Sequence, residues 1–153
     1  MAELIVGQKA PYFEGIDQNG ERINLEDYRG KKLVLYFYPK DNTPGCTKEA
    51  CSFRDNYKDM ISKGFAVVGV SADSEKSHQK FAEKFELPFP LIADTEKIIL
   101  EAYGAFGEKK MYGKTFLGIK RSTFIIDEEG QIDKIIKKVD TKDSASQIFK
   151  FYE

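Results

Sequence analysis

Two thiols dominate the chemistry open to this chain. Cys46 and Cys51 are its only cysteines, and both lie in the stretch Pro39-Lys40-Asp41-Asn42-Thr43-Pro44-Gly45-Cys46-Thr47-Lys48-Glu49-Ala50-Cys51. Thr43 precedes a proline and is biased toward extended dihedrals, as the residue before a helix should be. Pro44 then takes the first helical position, where its missing N–H costs nothing. Cys46 falls in the first turn, among backbone N–H groups without intrahelical partners and at the positive end of the helix dipole. Such a setting favours thiolate, the form of cysteine that attacks electrophiles. A free thiol with a pKa of about 8.5 is only ~3% ionised at pH 7, whereas one at about 6 is roughly 90% ionised. That difference is worth ~3.4 kcal/mol, and a helix terminus supplies up to ~2 kcal/mol, so nucleophilic chemistry calls for a further positive group.

The two thiols have different surroundings. Cys46, Ala50, Phe53, Tyr57, Met60 and Ile61 follow the spacing of a core-facing helical stripe, with Cys46 at its rim. Cys51 has Thr47, Lys48, Arg54 and Asp55 as helical neighbours, which is the polar face. Five helical residues turn through about 500°, so the thiols point roughly 140° apart with Cα atoms about 8.7 Å from each other. A disulfide needs less than about 7 Å, so the two bond only if the helix unwinds. On the residues alone, Cys46 could also be a small buried hydrophobe and Cys51 an incidental surface thiol. A metal site would need more ligands than two sulfurs, and the single histidine, His78, is far along the chain. His78 lies on the edge of an apolar helical face with Phe81, Ala82 and Phe85 and reads as a packing or surface residue. The spacing Cys-x-x-x-x-Cys is also not the Cys-x-x-Cys of a thioredoxin-type dithiol.

The surrounding elements follow from pattern. Tyr12 to Asp17 and Glu21 to Leu25 flank Asn19-Gly20, a hairpin signal. Lys32 to Tyr38 and Phe65 to Val70 are nearly continuous apolar runs, which suit strands covered on both faces. One helical period spans 43–63 between them. A helix is expected from Ser74 to Phe85, a short strand near Leu91-Ile92 and a helix from Glu96 to Tyr103. Gly104 to Lys120 reads as a long glycine-bearing loop. Ser122 to Asp127 and Gln131 to Val139 form a hairpin, and a helix from Ser144 to Tyr152 closes the chain. Strands alternating with helices, bracketed by hairpins, predict a single α/β domain over residues 1–153 with a mixed sheet.

Composition excludes other classes. Apolar residues make up 41% of the 153 and charged ones 32%, an ordinary globular balance. With 24 basic against 25 acidic side chains, nothing draws the chain toward nucleic acid or an anionic membrane. The first residues are broken by charge too early for a signal peptide, and no run approaches a membrane span. A cytoplasmic location is the expectation, and in a reducing compartment a lone cysteine pair is more often catalytic, redox-active or metal-binding than a permanent staple.

Pro39-x-x-x-Thr43-x-x-Cys46 matches the active-site signature of the peroxiredoxins. The run from Tyr36 to Cys51 resembles the subgroup called bacterioferritin comigratory protein, or peroxiredoxin Q. The likeness continues through Gly69-Val70-Ser71, through Leu87 to Asp94 and through Gly118 to Asp127. This resemblance implies a thioredoxin-like fold, helices on both faces of the sheet, and thiol-dependent reduction of hydrogen peroxide and alkyl hydroperoxides without cofactor or metal. Cys46 takes the place of the peroxidatic cysteine and Cys51 that of the intrahelical resolving cysteine. The implied cycle runs through a Cys46 sulfenic acid and an intramolecular Cys46–Cys51 disulfide, reduced in turn by a thioredoxin-like dithiol. Thr43 and Arg121 match the polar residues around the thiolate, and Pro39 the residue that shields it. Arg121 is permanently charged and can reach both sulfur and a peroxide oxygen. Glu49 is expected to pair with Arg121 and hold it, or else is a first-turn glutamate favoured by the dipole. Members of the subgroup are often monomeric. Phe106 stands where many relatives carry tryptophan. The competing reading is a thioredoxin-fold dithiol carrier without peroxidase activity.

Overall fold

A computed structural model describes residues 3–152. Its centre is a five-stranded sheet of β3 (Lys32–Phe37), β4 (Phe65–Ser71), β5 (Leu91–Ala93), β8 (Ser122–Ile126) and β9 (Ile132–Ile136), in the order β5-β4-β3-β8-β9. β3, β4 and β5 are parallel, while β8 and β9 run antiparallel to their neighbours. The two-residue period of β3 divides its side chains between two cores. Leu33, Leu35 and Phe37 pack with Ile99, Leu100, Tyr103 and Phe124 on one face. Val34, Tyr36 and Tyr38 pack with Cys46, Ala50, Phe53, Met60, Phe81 and Ile148 on the other. Helix α4 (Ile98–Ala102) covers the first face; α1 (Pro44–Asp55), α2 (Tyr57–Ser62), α3 (Glu75–Phe85) and α5 (Ser144–Lys150) supply residues to the second. The N-terminal hairpin, β1 (Glu14–Ile16) with β2 (Arg22–Asn24), forms a separate ribbon followed by a short 3₁₀ turn at Leu25–Tyr28. The thioredoxin-like α/β fold expected from the sequence is the one present.

Three elements differ from the sequence reading. The span 43–63 is two helices, broken at Asn56, whose amide side chain donates to the Ser52 carbonyl at 2.8 Å and competes with helix continuation. The apolar stripe runs across the break, which hid it, although Ile61 at its end is exposed. The helix expected from Glu96 starts at Ile98, because Lys97 is left-handed at φ 62°. The supposed loop of 104–120 is a hairpin, β6 (Phe106–Met111) with β7 (Lys114–Ile119). Its turn is Tyr112-Gly113 with both residues at positive φ, the conformation of a two-residue hairpin turn. Most of it is exposed on both faces, so its sequence carries no apolar alternation to read.

One glycine in the sheet has a steric reason. Gly69 on β4 pairs with Tyr36 on β3, and a Cβ there would meet the Tyr36 ring and Leu91 at 2.8 Å. The missing side chain lets the Tyr36 ring lie over the strand and meet Phe53 of α1, ring centroids 4.9 Å apart.

Candidate active site

Sheet order brings together residues far apart in sequence. Because β8 is antiparallel to β3, Ser122 at the start of β8 faces Phe37 at the end of β3. Arg121, just before Ser122, is therefore beside the point where the chain leaves β3 through Pro39, in a bend and partly buried, and enters α1. This is the C-terminal edge of the parallel strands, where open α/β sheets gather functional loops.

Thr43 stands at the N-cap with extended dihedrals, φ −96° and ψ 157°, and Pro44 follows it. Its hydroxyl does not cap the helix; it donates to the Lys40 carbonyl at 2.8 Å. The first intrahelical bond runs from the Thr47 N–H to the Thr43 carbonyl at 2.8 Å. The N–H groups of Gly45 and Cys46 precede it and are left for whatever occupies the site. Capping geometry thus comes from backbone and proline, and the threonine hydroxyl fixes the entry loop instead.

Cys46 is buried at the base of this turn and Cys51 is half-buried; both are free thiols. Arg121 Nη2 donates to Cys46 Sγ at 3.2 Å, and Nη1 donates to Glu49 Oε1 at 2.7 Å. The further positive charge that the chemistry requires is in contact with the sulfur, and the expected Glu49–Arg121 pair is formed. Burial pushes the Glu49 carboxyl up to about 7, with Arg121 pulling it back down. Its second oxygen, Oε2, is buried without a protein partner, which accounts for that penalty. Burial opposes the charge on Arg121, but Glu49 and then Cys46 outweigh it and leave the guanidinium's pKa raised. The Cys51 thiol is also pushed up by burial, against the pull of Arg54. In the intact helix Cys51 is held as the neutral thiol, and Cys46 is the sulfur set against positive charge.

Gly45 matters in a way that helix propensity does not reveal. A Cβ at this position would lie 3.2 Å from Arg121 Nη2, so the glycine gives the guanidinium room to reach the sulfur. His78 is fully buried, not a surface residue, and its ring nitrogens face Asp41 and the Ile92 carbonyl. Asp41 and His78 carry no local sequence signal beyond their polarity, and only the fold pairs them.

A thioredoxin-like sheet with a cysteine at the helix start after its central parallel strand, an arginine on the sulfur and a second cysteine five residues on in the same helix defines a thiol peroxidase. A family model described as the AhpC/TSA family matches residues 6–135. A putative peroxiredoxin bcp of Coxiella burnetii is 51% identical over 134 residues, 88% of this chain and 89% of that protein. Peroxiredoxin Bcp of Bacillus subtilis is 49% identical over 142 residues, 93% and 90% of the two chains. Among solved structures, peroxiredoxin Q of Xanthomonas campestris is similar with a TM-score of 0.88, at 36% identity over 95% of each chain. The chain belongs to the AhpC/TSA family and is a peroxiredoxin of the Bcp, or peroxiredoxin Q, subgroup.

Proposed function

We propose that Cys46 is the thiol that reacts with hydroperoxide and Cys51 the one that resolves the product. The observation that carries this is the Arg121 guanidinium donating to Cys46 Sγ at 3.2 Å, beside unpaired helix-start N–H groups. The Cys46 thiolate attacks one peroxide oxygen; an S–O bond forms, the O–O bond breaks, and the leaving oxygen takes a proton to become water or alcohol. Arg121 and the free N–H groups stabilise negative charge as it moves from sulfur to the departing oxygen. Thr43 orients the entry loop, Pro39 screens the sulfur, and Glu49 holds Arg121. Cys51 then displaces hydroxide from the sulfenic sulfur, which leaves as water, and a Cys46–Cys51 disulfide results. A thioredoxin-like dithiol reduces that bond by two exchanges.

The 153-residue chain acts as one domain, as a monomer, in a reducing cytoplasm. No helix among the described residues is long and apolar enough to cross a membrane, and the near-balance of charge supports neither nucleic acid nor membrane as partner.

The test is a thioredoxin-coupled peroxidase assay on the single-cysteine variants. Cys46→Ser abolishes turnover, since an alcohol cannot replace the thiolate. Cys51→Ser reacts once and leaves a sulfenic acid that a sulfenate-selective reagent traps on Cys46. Residual turnover of Cys46→Ser within a few-fold of wild type, or trapping on Cys51 in Cys46→Ser, overturns the assignment.

A further inference from the structure

His78 is completely buried and polar, yet no step of the reaction above uses it. Its Nε2 lies 3.0 Å from the carbonyl oxygen of Ile92 on β5. A carbonyl only accepts, so Nε2 carries a proton. Nδ1 lies 2.7 Å from Asp41 Oδ2. Asp41 also accepts from the Tyr38 hydroxyl on Oδ1 at 2.6 Å and from the Ser77 hydroxyl on Oδ2 at 2.7 Å. With two hydroxyl donors already on that carboxylate, the ring is placed to donate to it from Nδ1, as it does to the carbonyl from Nε2.

The other charged groups around the pair are few. Asp73 Oδ2 accepts from the Asp41 amide at 2.9 Å and the Ser71 hydroxyl at 2.7 Å. Lys76, Lys80 and Lys84 of α3 line the surface cleft outside, with Lys84 Nζ 3.4 Å from Asn42 Oδ1. Ligand atoms of Asp41, Asp73 and His78 lie within 4.8 Å of one another, but no ring lone pair remains for a cation.

Position gives this pair its meaning. Asp41 sits two residues before Thr43 and five before Cys46. Through it, the segment leaving β3 is tied to α3 by Ser77 and His78, to the end of β4 by Ser71 and Asp73, and to β5 by the Ile92 carbonyl. The next residue, Asn42, is left-handed at φ 60°, and the helix begins two residues later.

We propose that the Asp41–His78 ion pair is a positioning device for Cys46. It fixes the segment leading into α1 so that Cys46 sits against Arg121 while the protein is reduced. It also sets the upstream limit of the unwinding that carries Cys46 to Cys51. A buried ion pair adds little net stability, and its best-attested use is to select one arrangement over others. The inference rests on Cys46 being the peroxide-reactive thiol.

Nitrogen-15 NMR of the reduced wild-type protein at pH 7 tests the first half. Both His78 ring nitrogens should be protonated, and an unprotonated Nδ1 overturns the ion pair. Asp41→Asn tests the second half, because its amide can donate to a neutral His78 in the same place; His78→Gln is the companion. In variants shown to be folded by circular dichroism, single-turnover oxidation of Cys46 by stoichiometric hydrogen peroxide should slow by about tenfold or more. Closure of the disulfide from the sulfenic acid should be as fast as in wild type or faster, a split that general destabilisation does not produce. Wild-type oxidation rates in both folded variants overturn the proposal. Should neither fold, Tyr38→Phe and Ser77→Ala each remove one donor to Asp41, and the same split, reduced to a few-fold, is expected; its absence in both overturns the proposal equally. A wild-type protein whose Cys46 stays unoxidised would instead refute the thiol assignment, while the protonation of His78 is read independently.

Discussion

Arg121 divides its donors between Cys46 Sγ and Glu49 Oε1, and each bond limits how the guanidinium can turn away from the other. Arg121→Met keeps an unbranched apolar stem and removes the side chain's charge and donors. We expect the reaction of Cys46 with hydrogen peroxide to slow by about 10²-fold or more, the loss of roughly 3 kcal/mol of stabilisation. Rapid-quench alkylation in a Cys51→Ser background measures it, and an unchanged rate removes Arg121 from the site. Glu49 makes a separate prediction about pH. Its folded pKa, about 7, lies above the 4.5 of an ordinary glutamate. The folded state therefore binds this proton more tightly than the unfolded state, and its stabilising contribution is full below about 4.5 and lost as pH rises to about 7. Glu49→Gln should flatten the fall in stability across that window in urea denaturation of the reduced protein. If the slope is the same in both proteins, the decline belongs to another group.

Helix α1 has two tasks that conflict. Under the proposed cycle it must hold Cys46 at its first turn against Arg121 when reduced, and let Cys46 reach Cys51, about 8.7 Å away on another side, when oxidised. The disulfide and the intact helix start exclude each other, so oxidation should melt the segment from Thr43 through about Cys51. Hydrogen exchange on reduced and oxidised protein checks this, and equal protection of 46–54 in both states means that the bond forms another way. The start of this helix was legible because Thr-Pro carries steric information about its own backbone. The break at Asn56 was not, since a side chain bonding back to Ser52 leaves the apolar period untouched. The hairpin of β6 and β7 leaves no pattern for a related reason: exposed strands need no alternation, and Tyr112-Gly113 is not a common turn pair. Arg121 gave no local sign at all. Its place beside Cys46 is a property of strand order, which the family resemblance supplied and periodicity could not.

At the scale of the whole molecule, the central sheet is covered on both faces, and alternate residues of β3 serve two separate cores. The α/β class followed from the apolar runs at Lys32 to Tyr38 and Phe65 to Val70, which only a doubly covered sheet accommodates. What no run of residues disclosed is that the buried Asp41, Ser71 and His78 and the half-buried Asp73 and Ser77 converge next to the start of α1. The aromatic side of the same region has an optical consequence. The chain has no tryptophan, so its near-ultraviolet signal comes chiefly from tyrosine. Tyr36 is wholly buried, stacks with Tyr38 at 5.5 Å, and has Phe53 of α1 as its neighbour at 4.9 Å. Unwinding that stops at Cys51 leaves those rings in place; unwinding that runs on to Phe53 strips one face from Tyr36. A loss of near-ultraviolet circular dichroism on adding peroxide would place the boundary beyond Phe53, and an unchanged band would place it before. Tyr36 thus serves as a built-in gauge of how far along α1 the proposed unwinding reaches.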